Sequence, residues 1–291
     1  LSKEYVAWSL KPLLKNLKFS AGLTFSNITW IFFSQTDKLL LSSLLSLIDY
    51  GYFMLGVLLA SSVMVISSPI ANVLLPRLSK LHGEGDNSTL LDLYQDSTQL
   101  VAVMAIPLAF TLAFCAKQIL WAWTGNMELA QTASQVLVFY SLGNCVMAIT
   151  AFPYYLQFAK GDLKLHIIGS AMFTTLMLPL VFWSANTYGL NGPAYVWLAI
   201  HLLSFLFWSP IIHRRFFKSL HLSWLKGILP IIITPLFIIF IIDLILVWPE
   251  ERIMVSLTVA LIFILLFIAS VLSSSAQRSS IKRLIISRIS N

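Results

Sequence analysis

Residues 209–227 read SPIIHRRFFKSLHLSWLKG, with Arg214, Arg215 and Lys218 set between two apolar runs, 191–212 and 225–248, and Lys226 at the start of the second. Each run is long enough to cross a hydrocarbon core of about 30 Å, which takes about 20 helical residues. Loops rich in Lys and Arg are retained on the cytoplasmic side during insertion. The stretch therefore predicts two membrane-crossing helices joined on the inner side.

The same alternation runs outward over the whole chain. Of 19 Lys plus Arg, 16 fall in five groups. These are Lys3, Lys11, Lys15 and Lys18; Arg77 and Lys80; Lys160 and Lys164; the group already quoted; and Arg278, Lys282, Arg283 and Arg288. The intervening gaps hold only Lys117 and Arg252, and Lys38 stands alone inside an apolar segment. Eight segments are predicted to cross, near 17–45, 52–75, 99–123, 133–158, 164–184, 191–212, 225–248 and 253–273. Both ends of the chain are then expected on the cytoplasmic side.

Composition agrees. The chain is 58% hydrophobic and 11% charged, with a mean hydropathy of +0.85. Soluble domains carry roughly 25% charged residues, so lipid is the solvent for most of this surface. Backbone groups in lipid must be satisfied within the segment, which selects helices. The short alternating strands of a barrel are absent. The net charge of +7 sits at helix ends facing anionic headgroups, which argues for membrane lipids as partners and against nucleic acid.

Along the chain, 1–18 reads as an interfacial helix or a linker, with Trp8 toward the acyl chains. Residues 19–215 carry six of the predicted crossings, 216–273 two more, and 274–291 a basic tail expected on the cytoplasmic side. Pro69 and Pro76 are expected as kink and exit of the second crossing, and 81–98 as a polar inner loop. The chain begins at Leu1, not Met, and is expected to be a piece lacking its beginning.

Candidate functional residues lie on two crossings. Asp37-Lys38 is the one adjacent ionised pair well inside an apolar segment, and charge at bilayer depth is costly unless it faces a cavity or a partner. At 100° per residue, Asp37, Ser34, Asn27, Lys38, Ser20, Thr24, Ser42 and Gln35 fall within an arc of about 160°. Phe25, Phe32, Phe33, Leu39 and Leu40 are assigned to the opposite side. In the fourth crossing, Asn144 and Gln157, with Tyr154 and Tyr155, are candidates to line the same path. Cys115 and Cys145 lie far apart in apolar segments and read as packing residues. The five histidines sit singly, with no metal-ligand spacing. No carboxylate pair, GxSxG elbow or Gly-rich phosphate loop is present, so no enzyme and no cofactor are expected.

Three runs carry a resemblance: Ser34-Gln35-Thr36-Asp37-Lys38-Leu39-Leu40-Leu41, Asp49-Tyr50-Gly51-Tyr52-Phe53 and Leu75-Pro76-Arg77-Leu78-Ser79-Lys80-Leu81. From Asn16 to Asp86 the chain resembles the polysaccharide-exporter branch of the multidrug/oligosaccharidyl-lipid/polysaccharide transporter superfamily, in particular the O-antigen flippases. The resemblance implies an all-α, polytopic membrane protein of about eight transmembrane helices, the second lobe plus terminal helix pair of a two-lobe transporter. It implies a missing N-terminal lobe, and a polyprenyl-pyrophosphate-linked oligosaccharide moved across the inner membrane by alternating access. A polysaccharide polymerase and a chain-length regulator are the further partners it suggests. Asp37 corresponds to a polar, cavity-facing position of that lobe's first helix. Two other readings stay open: a cation-coupled multidrug antiporter of the same superfamily, for which Asp37 is the acidic candidate, and a membrane-embedded glycan polymerase.

Overall fold

The computed structural model describes residues 11–278, and within them every regular element is helical. The order is α1 (Lys11–Leu44), α2 (Leu47–Val65), α3 (Ser67–Glu84), α4 (Asn87–Phe114), α5 (Ala116–Thr124), α6 (Met127–Ala159), α7 (Lys164–Tyr188), α8 (Gly192–Leu203), α9 (Ser209–Phe216), α10 (Leu220–Ile245) and α11 (Arg252–Ser273). Residues 1–10 and 279–291, with Trp8 and most of the expected basic tail, lie outside the described residues.

Six helical stretches are long and apolar enough to cross a membrane. One of them, Lys164–Phe216, has 53 residues, far more than one crossing needs. It folds back at Gly189, where φ is +59°, so that α7 and α8–α9 lie antiparallel: Trp208 covers Gly169 near one end and Gly192 meets Ser184 near the other. Helix α1 is not among the six, because its polar residues lower its hydropathy. Its 34 residues nevertheless extend along the bundle, from Gly22 against Ile167 to Asp37 against Tyr140. Counting α7 and α8–α9 separately and adding α1 gives eight passes. The chain is a multi-pass helical membrane protein.

Helix α6 is the central post. It packs on α2, α4, α5 and α8, while α1 lies mainly on α7. Helices α10 and α11 pack on each other and on α4, with large apolar side chains such as Ile233, Phe237, Phe240, Leu257 and Leu261 exposed on their outer faces. In lipid those faces need no cover, and close fit rather than water exclusion holds the helices together.

The turns follow from local chemistry. Ser46, Asp86 and Asn126 cap α2, α4 and α6 through side-chain oxygens that accept from Asp49 N, Thr89 N and Leu129 N, each at 3.1 Å. The chain reverses within Gly85 and Asp86, so the polar loop expected over 81–98 is instead the ends of α3 and α4. Gly85 supplies the left-handed φ of +76° that ends α3, and the Asp86 cap starts the next helix at once. Pro76 is not an exit either; it lies inside α3, which continues to Glu84. The break comes earlier, at Ile66, three residues before Pro69.

At one end of the bundle, Lys160 Nζ donates to Asn87 Oδ1 at 2.9 Å and lies 4.8 Å above the Phe217 ring. Arg215 Nε and Nη2 donate to Asp162 Oδ2 at 3.0 and 2.6 Å. Three connections are thereby tied together at this basic end. At the other end, Arg252 Nε and Nη2 donate to the Ala122 carbonyl at 3.0 and 2.7 Å and bind α11 to the last turn of α5.

Candidate functional site

A cavity of about 370 Å³ lies among α1, α6, α7 and α8–α9, with Met64 of α2 at its edge. Helix α1 contributes through a buried seam at Ser26, Thr29, Phe33, Asp37 and Leu41, a spacing of three and then four residues. Phe33 therefore belongs to the inward face. The expectation that it sits opposite Asp37 is corrected, since four residues amount to about 40° of rotation.

The seam changes character along its length. Ser26, Thr29 and Phe33 reach the cavity. Asp37 is fully buried beyond the cavity, where Tyr140 Oη donates to Oδ2, the Lys38 backbone N–H donates to Oδ1 at 2.8 Å, and Lys38 Nζ stands 3.8 Å away. Asn144, one turn along α6 from Tyr140, donates from Nδ2 to the Ala60 carbonyl at 2.9 Å and accepts from Trp197 Nε1 at 2.9 Å. Tyr140 and Trp197 stack with centroids 5.4 Å apart, and Phe33 packs on Trp197 at the same separation. These groups form a closed polar and aromatic floor on the side away from the basic end.

The seven residues singled out from sequence thus separate. Asn27 and Gln157 line the cavity together. Gln157 is fixed there, since Oε1 accepts from His166 N at 2.7 Å and Nε2 donates to the Pro153 carbonyl at 3.3 Å. Asp37 and Asn144 lie in the floor. Ser34, Gln35 and Lys38 follow Asn27 along the uncovered side of α1, where Lys38 Nζ donates to the Ser34 carbonyl at 2.5 Å.

The sequence reading missed several groups. His201, taken as solitary, is a cavity residue; its Nδ1 donates to the Trp197 carbonyl at 2.8 Å, and its ring meets Phe33 and Trp197. His213 and His221 are not single, with Nδ1 atoms 3.0 Å apart across the α9–α10 turn. Between α8 and α9 the helix widens into a π-turn over Ser204–Trp208, where Ser209 N donates to Ser204 O. Pro210 explains the widening, because it has no N–H to return to Leu206. The wide turn aims Ser204, Trp208 and Ser209 at the cavity. A proline after an apolar run was the available signal, but it does not tell which side of the helix opens.

Residues 2–127 match a family profile described as "Polysaccharide biosynthesis protein". No curated protein sequence matches. Among solved structures, "Lipid II flippase MurJ, inward closed conformation" is similar over 98% of this chain, with a TM-score of 0.66 and 17% identity. At that identity the likeness is one of fold. The chain spans 57% of that structure's length. Residues 2–127 are thus similar in sequence to a polysaccharide-biosynthesis family, and the described residues are similar in fold to a lipid II flippase.

Proposed function

We propose that this chain is the lobe and terminal helix pair of a flippase that moves a polyprenyl-pyrophosphate-linked oligosaccharide, an O-antigen repeat or a related unit, across the bacterial inner membrane. Both ends of the chain face the cytoplasm in this reading, and a second lobe faces the uncovered side of α1. The observation that carries it is the pairing of that polar line, Asn27–Ser34–Gln35–Lys38, with an adjoining cavity of hydroxyls and aromatic rings.

The chemistry fits a sugar head on a lipid. A pyrophosphate cannot enter hydrocarbon, whereas a hydrophilic groove beside lipid lets the head move while the tail stays in the acyl phase. Lys38 suits a phosphate oxygen, and Ser, Asn and Gln suit sugar hydroxyls. Transporters built from repeats place such paths between their halves.

Cysteine mapping in the full-length protein tests the path. Cysteines replacing Asn27, Ser34 and Gln35 should react with membrane-impermeant thiol reagents, and cysteine at Leu41, in the buried seam, should not. Inert cysteines along the polar line would remove the wall of the path. The antiporter reading draws on one observation, the buried Asp37 carboxylate hydrogen-bonded by Tyr140. It predicts that Asp37→Asn abolishes ion-coupled drug efflux in susceptibility profiling.

A further inference from the structure

Away from the cavity, three side chains at the basic end form a buried chain of hydrogen bonds. Tyr94 of α4 and His213 of α9 are fully buried, and Tyr94 Oη lies 2.7 Å from His213 Nε2. His213 Nδ1 lies 3.0 Å from Nδ1 of His221, on the first turn of α10. Trp224, also buried, packs edge-on to the His213 ring at 4.9 Å and lies 5.9 Å from the His221 ring. Helices α4, α9 and α10 thus meet through two imidazoles.

Burial fixes where the hydrogens sit. His213 Nε2 is the acceptor within reach of the Tyr94 hydroxyl among the described residues, and a buried hydroxyl without an acceptor is costly, so Tyr94 donates there. His213 then carries its hydrogen on Nδ1 and donates to His221 Nδ1, while His221 carries its own on Nε2. In this arrangement every imidazole lone pair already receives a hydrogen. A further proton on either ring would set two hydrogens between one pair of bonded atoms. Acid cannot be taken up without breaking a link.

The surroundings decide which link gives. Tyr94 and His213 are enclosed, whereas His221 is only partly buried and can turn to water. Arg214 of α9 acts on His221, so an imidazolium there meets a like charge. Lys218 in the turn and Lys226 on α10 are exposed, and Arg215 is engaged by Asp162. On α4, Asp92 and Asp96 are exposed to either side of Tyr94, and α6 presents the apolar Phe152 ring to Tyr94.

We propose that Tyr94, His213 and His221 form a proton-sensitive latch: when neutral they clamp the first turn of α10 to α4 and α9, and a proton on His221 releases it. The latch goes beyond the transport reading and does not depend on what the protein carries. The open corner leaves His221 in water, where a histidine takes a proton at about pH 6.5, and the closed corner takes none. The open form therefore gains as pH falls through that value, by about thirtyfold between pH 7.5 and pH 5, and the latch is at full strength above it.

Amide hydrogen–deuterium exchange of the full-length protein in lipid nanodiscs, corrected at each pH for intrinsic exchange, tests the latch. The readout is the segment 217–225, where Phe217 N donates to the His213 carbonyl at 2.8 Å and Leu220 N to the Phe217 carbonyl at 3.2 Å. Protection there should fall by up to about thirtyfold from pH 7.5 to pH 5, while α6 keeps its own. His221→Asn places an amide oxygen where Nδ1 stands; it accepts from His213 but takes no proton, so its corner should stay protected at both pH values. The wild-type series decides alone should that variant not fold, which exchange in α6 reports. Wild-type protection that does not change with pH, a loss shared by α6, or a folded His221→Asn protein whose corner follows the wild-type fall or is unprotected throughout would each overturn the latch.

Discussion

Asp37 shows how a residue that stands out in the sequence takes its meaning from a distant partner. Helical arithmetic puts it on the polar arc of α1, but Tyr140, 103 positions away, covers it. Tyr140→Phe would leave the carboxylate buried with one donor fewer and should destabilise the protein by about 1–3 kcal/mol. Asp37→Asn in that background should recover part of the loss, because a neutral amide is cheaper to bury than a charge. Thermal melting in detergent of the single and double variants checks both, and equal melting for wild type and Tyr140→Phe would refute the pairing. Asp162 is a milder case. The Arg215 hydrogen bond holds its carboxyl below the usual carboxylate range. A depressed value contributes stability above the unfolded pKa of about 3.9, and the contribution is lost as pH falls through the folded value. With the pair a third to a half exposed, the gain is under about 1 kcal/mol and fades with salt. Asp162→Asn should therefore narrow the stability difference between pH 7 and pH 3 slightly, and only at low ionic strength.

At the scale of elements, the crossings were legible because charge alternation and apolar length are properties of whole segments. The breaks inside them were not. Pro76 reads as an exit but is carried within α3, and Pro210 widens its helix without ending it. What a proline does depends on whether its neighbours can shelter the freed carbonyl, which sequence alone does not state. The site was half legible for the same reason. Asn27 and Gln157 could be picked by polarity, while His201 looks solitary until its packing on Phe33 and Trp197 is known. Two element-scale predictions follow from close approaches. Gly125 ends α5 at φ +72°, with the Arg252 guanidinium 2.9 Å from where a Cβ would stand. Gly125→Ala should cost about 1–2 kcal/mol and loosen α11 from α5, seen as lower melting and faster thiol exchange at a cysteine introduced at Ser256. Pro210→Ala should restore an ordinary helical turn and swing Trp208 away from Gly169. The expected readout is a shifted Trp208 fluorescence in a variant with the other tryptophans replaced; an unchanged spectrum would mean that Pro210 does not hold the π-turn.

At the scale of the molecule, the two ends of the bundle are locked differently. Three connections are joined by side chains at the basic end, through Lys160, Asp162 and Arg215. At the far end Arg252 ties α11 to α5, and Tyr195 Oη donates to Gln135 Oε1 at 2.6 Å to tie α8 to α6. In the proposed function the lobe therefore moves as one piece against its partner lobe, and the cavity travels with it. Translocation itself is the most direct measurement. The full-length protein, reconstituted into liposomes with a polyprenyl-pyrophosphate-linked oligosaccharide, should bring the inner-leaflet pool of sugar within reach of an external glycosidase. Sugar that remains as protected as in protein-free liposomes, with the protein folded and inserted, would contradict the account.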